Sequence, residues 1–244
     1  MVAAVKKRIS TMSETKAKEF LQRHLPKTPE TTIDDIIEVI MKEEAVSTVA
    51  CGTVSAIDEF IAGKRKFDDE VLEEYAKEYA KVINSNLKGW SWAADIKGGS
   101  KLSSYRRTQI IEKAKEKILV PDIKVKKVEG VLHGYADFAE AGVVVATYKL
   151  PEDMWLKDDD EQFKWLNEQL WKDSELQQKH PELFIDIDPY EQPTKFTWHH
   201  TEGKGVKGQG KYEDGTMQLV GFGPHNMVSH NGGRTEGHWA DAPR

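Results

Sequence analysis

The chain contains few of the features expected in a disulfide-stabilised protein or in one that crosses a membrane. One cysteine, Cys51, occurs among its 244 residues, which excludes an internal disulfide framework and a cysteine-ligated zinc site. Its apolar runs, such as residues 141–146, are much shorter than the roughly 20 residues that a transmembrane helix requires. The basic residues at positions 6–8 are followed by polar residues, so a classical secretory signal is not expected. If the protein leaves its cell, we expect it to use another route.

The composition is that of a soluble globular chain, but its charge is unevenly distributed. Hydrophobic residues make up 39% and charged residues 31% of the chain, and the net charge is −6. Residues 131–194 hold 15 acidic and 5 basic side chains, whereas residues 195–244 hold 5 acidic and 6 basic ones. An acidic total argues against nucleic-acid binding because phosphate contacts come from Lys and Arg. The last fifty residues lack that acidity, so composition leaves the substrate class open.

Helical patterns dominate the first 120 residues. Apolar residues recur there at helical spacing, and the segments begin at capping residues and end near Pro or Gly. The predicted helices cover residues 14–25, 33–61 with a break near Gly52, 68–87, and 103 or 104–118. We interpret residues 1–120 as a helical domain of unknown role.

After Pro121 the pattern changes to short β-branched or alternating runs mixed with helical ones. The predicted order is strands at 124–128 and 142–148, a helix at 158–171, a strand at 196–199, a glycine-rich connection at 203–215, a strand at 216–220, and a short helix opened by Pro224. We therefore predict an α+β fold with a mainly helical N-terminal half. The second domain is expected to cover residues 121–244.

Histidines are concentrated near the C-terminal end. Five of the eight lie in the last 46 residues, namely His199, His200, His225, His230 and His238. Imidazole acts as a proton acceptor near neutral pH and, when neutral, as a metal ligand. Neighbouring residues of a strand point to opposite faces, so the two adjacent histidines would have separate tasks. The residues alone allow a catalytic site, a structural zinc site, or neither, and His238 is interpreted as a surface residue.

Several motifs in this region occur in a characteristic order. The motifs are GYADF at residues 134–138, FTWHH at 196–200, MQLV at 217–220, PHN at 224–226, SHNGGR at 229–234 and EGHWA at 236–240, with Pro243-Arg244 after them. Together they resemble the WHH signature of HNH/endonuclease VII-type toxin nucleases, the C-terminal domains of bacterial polymorphic toxins. The resemblance covers roughly residues 130–244 and implies a His-Me finger, or ββα-metal, nuclease unit.

The resemblance also implies a role for each histidine of the site. His199 and His200 would be the catalytic pair, with His199 as a metal ligand and His200 as the general base. His225 would be a second ligand, and His230 a third ligand or a phosphate contact. The implied cofactor is a divalent ion: zinc, nickel, manganese or magnesium. Trp198 is expected to anchor the strand in the core.

Candidate substrate-binding residues lie beside these positions. Gln218, Asn226 and Arg234 are candidates within the motifs. The connection over residues 201–216 is longer than the turn usual in the family. It contains three lysines, which are interpreted either as part of a solvated loop or as an arm that contacts the phosphate backbone. These lysines are Lys204, Lys207 and Lys211.

The resemblance predicts an antibacterial nuclease toxin. DNA is the favoured substrate, and a cognate immunity protein would neutralise the enzyme in its producer. The toxin would be cytoplasmic in the producer, leave without a classical signal peptide and act in the cytoplasm of a target cell. The alternatives are an RNase with the same site and a non-catalytic nucleic-acid-binding module stabilised by zinc. Removal of the His200 side chain distinguishes a nuclease from a structural zinc module. A nuclease loses turnover when its base is removed, whereas a structural site needs only its ligands.

Overall fold

A computed structural model describes residues 54–86, 91–185 and 187–242, together with the single residues Lys18 and Ile33. Apart from Lys18, the helix predicted at 14–25 therefore lies outside the described residues, and so does most of the helix predicted at 33–61. Contacts divide the chain into two compact units, Met1–Ser55 and Ala56–Arg244. Among the described residues, no helix is both long and apolar enough to span a membrane.

Three α-helices precede residue 120 in the described part of the chain. Two of them begin at capping residues: the Asp68 carboxylate accepts from the Val71 N–H at 3.1 Å, and the hydroxyl of Ser103, one of the two predicted helix starts, accepts from the Arg106 N–H at 3.3 Å. Ile118, with φ of 56°, lies just beyond the end of the last one. The helices are α1 (Ala56–Ile61), α2 (Asp69–Asn84) and α3 (Ser104–Glu116), with 3₁₀ turns at Trp92–Ala94 and Gly99–Lys101.

Residues 56–120, which we call the helical segment, have their own hydrophobic core. The buried face of α2 includes Val71, Tyr75, Tyr79 and Ile83, which recur at intervals of four residues. These side chains pack with buried residues of α3 and of the 3₁₀ turns. The helical segment belongs to the same compact unit as the C-terminal residues, Ala56–Arg244. The predicted division at residue 120 stays a prediction.

The later part of the chain contains two small antiparallel sheets. One pairs β1 with β2, and the other has the order β3-β5-β4. The ribbon of the strands predicted at 196–199 and 216–220 is present as β4 and β5, and β3, which matches the strand predicted at 142–148, pairs with the other edge of β5. All six residues of β5 are buried, so its backbone groups need a hydrogen-bonding strand on both sides. The strands are β1 (Val125–Lys126), β2 (Tyr135–Ala136), β3 (Val144–Lys149), β4 (Phe196–His200) and β5 (Thr216–Gly221).

A helix covers one face of the three-stranded sheet. On this face, Leu166 and Leu170 pack in a core with Trp198 and Leu219. The helix that carries these leucines begins after Asp158, whose carboxylate accepts from the Glu161 N–H at 2.8 Å. The mixed helix and sheet content confirms the α+β class. The remaining helices are α4 (Asp159–Lys172), α5 (Ser174–Lys179) and α6 (Phe222–Asn226).

The short helix α6 follows β5 directly and packs against the helical segment. It begins at Phe222, two residues before the predicted start at Pro224. The Gly223 N–H donates to the Asn86 side chain at 3.2 Å, and Met227 packs against the helical core. The position of α6 is therefore set from two sides, by β5 and by the segment that follows α2.

Candidate active site

Three histidines converge at the junction of β4 and α6. His199 lies on β4, His225 on α6, and His230 on the chain that follows. One nitrogen of each ring lies within 4.8 Å of one nitrogen of each of the others. The antiparallel pairing of β4 with β5 explains this arrangement, because it returns the chain beside His199 before α6 begins. The predicted convergence of these side chains is found, and we call them the histidine triad.

Phe138 lies behind the histidine triad. Its ring is fully buried, and its centroid lies 4.9 Å from that of His199, 5.6 Å from that of His225 and 5.1 Å from that of His230. Phe138 belongs to the quoted GYADF motif, but it was not predicted as a site residue. Its place in that motif was the available signal.

Burial keeps the triad uncharged. The pKa of His199 is held well below its ordinary value by burial, and the neighbouring His230, His225 and His200 lower it further. Burial lowers the pKa of His225 to about 4 and also lowers that of His230. At neutral pH the three imidazoles are therefore in the neutral form that ligates metals.

The donor chemistry of the triad fits a divalent metal ion. The Val228 carbonyl lies 3.0 Å from Nδ1 of His230 and can only accept, so this nitrogen carries the hydrogen and Nε2 carries the lone pair. Such a bond fixes the tautomer of a ligating histidine. A set of three imidazole nitrogens suits zinc or nickel better than magnesium, because magnesium prefers oxygen ligands.

His200 points to the other face of β4. It is 7% exposed, and its Nε2 lies 2.6 Å from the Gln162 Oε1 and 3.7 Å from the Asp159 Oδ1. Its ring contacts those of Phe163 and Trp239. Because β4 is an edge strand, a cavity of about 330 Å³ is nevertheless lined by both His200 and the triad. This cavity therefore brings the candidate base together with the three candidate ligands.

The comparisons with known proteins agree with this geometry. Residues 190–240 match the family model WHH, described as a nuclease of the HNH/ENDO VII superfamily with conserved WHH. We call residues 190–240 the WHH segment. The resemblance to the WHH signature of HNH/endonuclease VII nucleases is thus confirmed for these residues, which include Trp198, His199 and His200. Neither a curated protein nor a solved structure was found to match the chain.

Of two further polar candidates in the WHH segment, one is held by hydrogen bonds and the other is buried. The guanidinium group of Arg234 donates to the Asp159 carboxylate at 2.7 and 3.0 Å and to the Lys157 and Ala240 carbonyls at 2.8 and 3.1 Å. Gln218 is buried and lies opposite His199 in the β4–β5 register. Substrate contacts by these two side chains stay predictions.

Asn226 lies next to a triad member. Its Oδ1 is 3.3 Å from Nδ1 of His225, and both residues line a second cavity of about 670 Å³. Tyr79 and Trp92 of the helical segment line the same cavity. The candidate site is therefore bordered on this side by residues outside the WHH segment.

The lysine-bearing connection of the WHH segment is held at several points. Lys211 Nζ donates to the Asp137 carboxylate at 2.7 Å, and Lys204 pairs with Glu213. The Val206 N–H donates to the Tyr135 hydroxyl at 3.2 Å. Lys207 is exposed and has φ of 53°. The connection is thus an anchored loop that presents exposed lysines.

The interpretation of His238 as a surface residue is wrong. It is 8% exposed, and its Nε2 lies 2.8 Å from the Tyr135 hydroxyl. The reason is that the end of the WHH segment folds back on the strand, where the Trp239 indole donates to the Thr201 carbonyl at 2.9 Å. His238 therefore links the C-terminal turn to β2.

Proposed function

We propose that this protein is a metal-dependent endonuclease that cuts DNA. The observation that carries the proposal is the histidine triad, whose nitrogens lie within 4.8 Å of one another in a segment that matches a nuclease family. In this proposal β4, β5 and α6 form the ββα-metal unit. Residues 121–244 are the nuclease domain, and residues 1–120 are a helical domain of unknown role.

The histidines divide the chemistry between them in this proposal. His199, His225 and His230 hold the divalent ion. When bound, such an ion polarises a phosphate oxygen and stabilises charge on the departing 3′ oxygen. His200 is the general base: it takes a proton from the attacking water as the new P–O bond forms and the bond to the 3′ oxygen breaks. Lys204, Lys207 and Lys211 contact the phosphate backbone, and Gln218, Asn226 and Arg234 are further candidates for substrate contacts.

The biological role proposed is that of an antibacterial toxin. The support is the resemblance of the motifs to the nuclease domains of polymorphic toxins. The enzyme is cytoplasmic in its producer, is secreted without a classical signal peptide, and acts in the cytoplasm of a competing cell. An immunity protein binds it in the producer, because a free endonuclease damages any chromosome it reaches.

The first experiment incubates the purified protein with plasmid DNA and with total RNA, with and without EDTA. We expect plasmid cleavage that EDTA abolishes and that zinc, nickel, manganese or magnesium restores. Cleavage of RNA alone in the presence of EDTA would favour an RNase whose nucleophile is the 2′-hydroxyl. Zinc binding without cleavage of either polymer would favour a structural zinc module.

A second experiment tests the toxin role in bacterial cytoplasm. Expression of the wild-type chain is expected to stop growth and degrade the chromosome, whereas the His199→Ala chain is tolerated. Co-expression of the proposed immunity protein should restore growth. Normal growth with intact nucleic acid in cells that express the active wild-type enzyme would contradict the toxin proposal.

A further inference from the structure

A buried glutamine, Gln162, lies next to the proposed base. It is located in the first turn and a half of α4, outside the matched residues 190–240. Its side chain is 0% exposed. Buried amides of this kind are almost always hydrogen-bonded at both ends, and these bonds fix their orientation. One end of the Gln162 amide is hydrogen-bonded to backbone carbonyls, and the other end is hydrogen-bonded to His200.

The backbone contacts define which end of the amide faces the histidine. The Gln162 Nε2 group donates to the Met154 and Trp155 carbonyls, each at 2.8 Å. A carbonyl oxygen only accepts, so the nitrogen must be on that side and Oε1 must face His200. Oε1 lies 2.6 Å from the His200 Nε2. Because Oε1 also only accepts, Nε2 of His200 must carry the hydrogen.

We propose that Gln162 is a positioning residue that holds His200 in the tautomer with hydrogen on Nε2. The lone pair is then on Nδ1, and Nδ1 is the nitrogen that accepts the proton of the attacking water. This inference rests on the proposed function, in which His200 is the base. Reversal of the tautomer would place two acceptors against each other in a buried site, which is unfavourable.

The surroundings of His200 restrict its ring as well. The rings of Phe163 and Trp239 lie on its flanks, with centroids 5.8 and 5.7 Å away. The Asp159 carboxylate, 3.7 Å from Nε2, is itself held by Arg234. An acceptor and a carboxylate therefore both lie on the Nε2 side, which favours a hydrogen on Nε2.

A second buried amide on the same helix provides a matched control. Asn167 donates to the Tyr190 carbonyl at 3.0 Å and accepts from the Trp198 indole at 2.9 Å. Trp198 and His200 lie two residues apart on one face of β4, so α4 supports each of them with one amide. Loss of Asn167 removes a similar buried hydrogen bond without contact to the imidazole.

The test compares Gln162→Met with Asn167→Leu, each against the wild-type protein. The tautomer of His200 is read from ¹⁵N–¹H correlation spectra of the imidazole in metal-free protein, with the signal assigned by its loss in His200→Ala. We expect hydrogen on Nε2 in the wild type and in Asn167→Leu, and a mixture of tautomers in Gln162→Met. For plasmid cleavage we expect kcat of Gln162→Met to fall by about 10–100-fold with KM little changed.

The possible results separate the inference from the proposed function. Hydrogen on Nδ1 in an active wild-type enzyme would overturn the inference alone, and so would a Gln162→Met enzyme with wild-type kcat. Equal kcat losses in both variants would also overturn it, because they would show a general structural effect. A wild-type protein with hydrogen on Nε2 that cleaves neither DNA nor RNA would refute the proposed function and the catalytic part of the inference. The wild-type spectrum decides the tautomer even if Gln162→Met does not fold.

Discussion

The aromatic ring of Phe138 stacks on the imidazole of His225, with centroids 5.6 Å apart and ring planes at 17°. The same ring meets His199 and His230 in edge-on contacts. Phe138 is fully buried, so it restricts the positions of all three candidate ligands although it offers no ligand atom. The preorganisation of the triad therefore depends on packing as well as on hydrogen bonds.

Phe138→Leu is expected to weaken metal binding while the fold is retained. Loss of part of a buried side chain costs about 0.5–3 kcal/mol of stability, and disturbed support of a metal site typically lowers affinity by about 10–100-fold. Zinc titration calorimetry and urea unfolding measure the two effects. Ile110→Val, in the helical core, is the control, with a similar cost of about 0.5–1.5 kcal/mol and unchanged zinc affinity. Equal zinc affinities in Phe138→Leu and wild type would show that Phe138 does not support the triad.

His199→Ala and His200→Ala are expected to fail in different ways. Removal of the base in His200→Ala leaves the ligands intact, so zinc affinity changes little while plasmid cleavage falls by about 10²–10⁴-fold. Removal of a ligand in His199→Ala weakens zinc binding, and excess metal should restore part of the activity. Calorimetry and cleavage assays on both variants provide the comparison. If His200→Ala lost zinc while His199→Ala kept it, the two roles would have to be exchanged.

Gly232→Ala is expected to disturb the site through the backbone. A Cβ atom at this position would lie 2.2 Å from the His200 carbonyl oxygen and 3.3 Å from the His199 ring. The chain would have to move away from β4, at a cost of about 1–3 kcal/mol, and zinc affinity should fall with the movement of His230. In Gly142→Ala the new Cβ meets nothing within 4 Å. That control should lose about 1–2 kcal/mol through its positive φ without loss of zinc affinity, and a similar zinc affinity in both variants would contradict the prediction.

The exposed lysines are expected to differ in their contribution to DNA binding. Each phosphate contact adds about 0.9 to the slope of log affinity against log salt concentration. Lys207→Ala should therefore reduce this slope by about 1. Lys211→Ala should reduce it less, because Lys211 already pairs with Asp137. Fluorescence anisotropy with labelled DNA in a His200→Ala background measures both slopes, and unchanged slopes in both variants would favour a loop that does not contact DNA.

Stability is expected to fall in acid partly because of Asp173. Its carboxylate accepts from the Leu176 N–H and the Tyr148 hydroxyl, each at 2.9 Å. These bonds, with the Leu176 bond first, lower its pKa from the ordinary value of 3.8. The contribution is therefore complete above about pH 4, and it is lost as the pH falls through the lower folded-state pKa, because the unfolded state takes up a proton first. Urea unfolding of Asp173→Asn should show a smaller decrease in stability below pH 4 than wild type, and parallel pH profiles would exclude Asp173 as a source.

Local patterns of the sequence were sufficient to predict most of the helices and strands, and the resemblance to the WHH signature indicated the members of the triad. A cap such as Ser103 acts through the next few backbone groups, so its effect is visible without the fold. The order of motifs around His199, His225 and His230 was also enough to predict that a strand, a return strand and a helix would bring them together. The opposite directions of His199 and His200 followed from the alternation of side chains along a strand.

Tertiary structure alone decided which other residues complete the site. Gln162 lies 38 residues before His200, and a glutamine on an amphipathic helix has no local feature that distinguishes a buried hydrogen-bonding role from a solvated one. The same is true of the pairing of β3 with β5, because the strand pattern at 142–148 does not name its partner, and of His238, which becomes buried when the C-terminal turn folds back. Such contacts depend on how distant segments pack together, whereas caps and periodicity depend on neighbours in the chain.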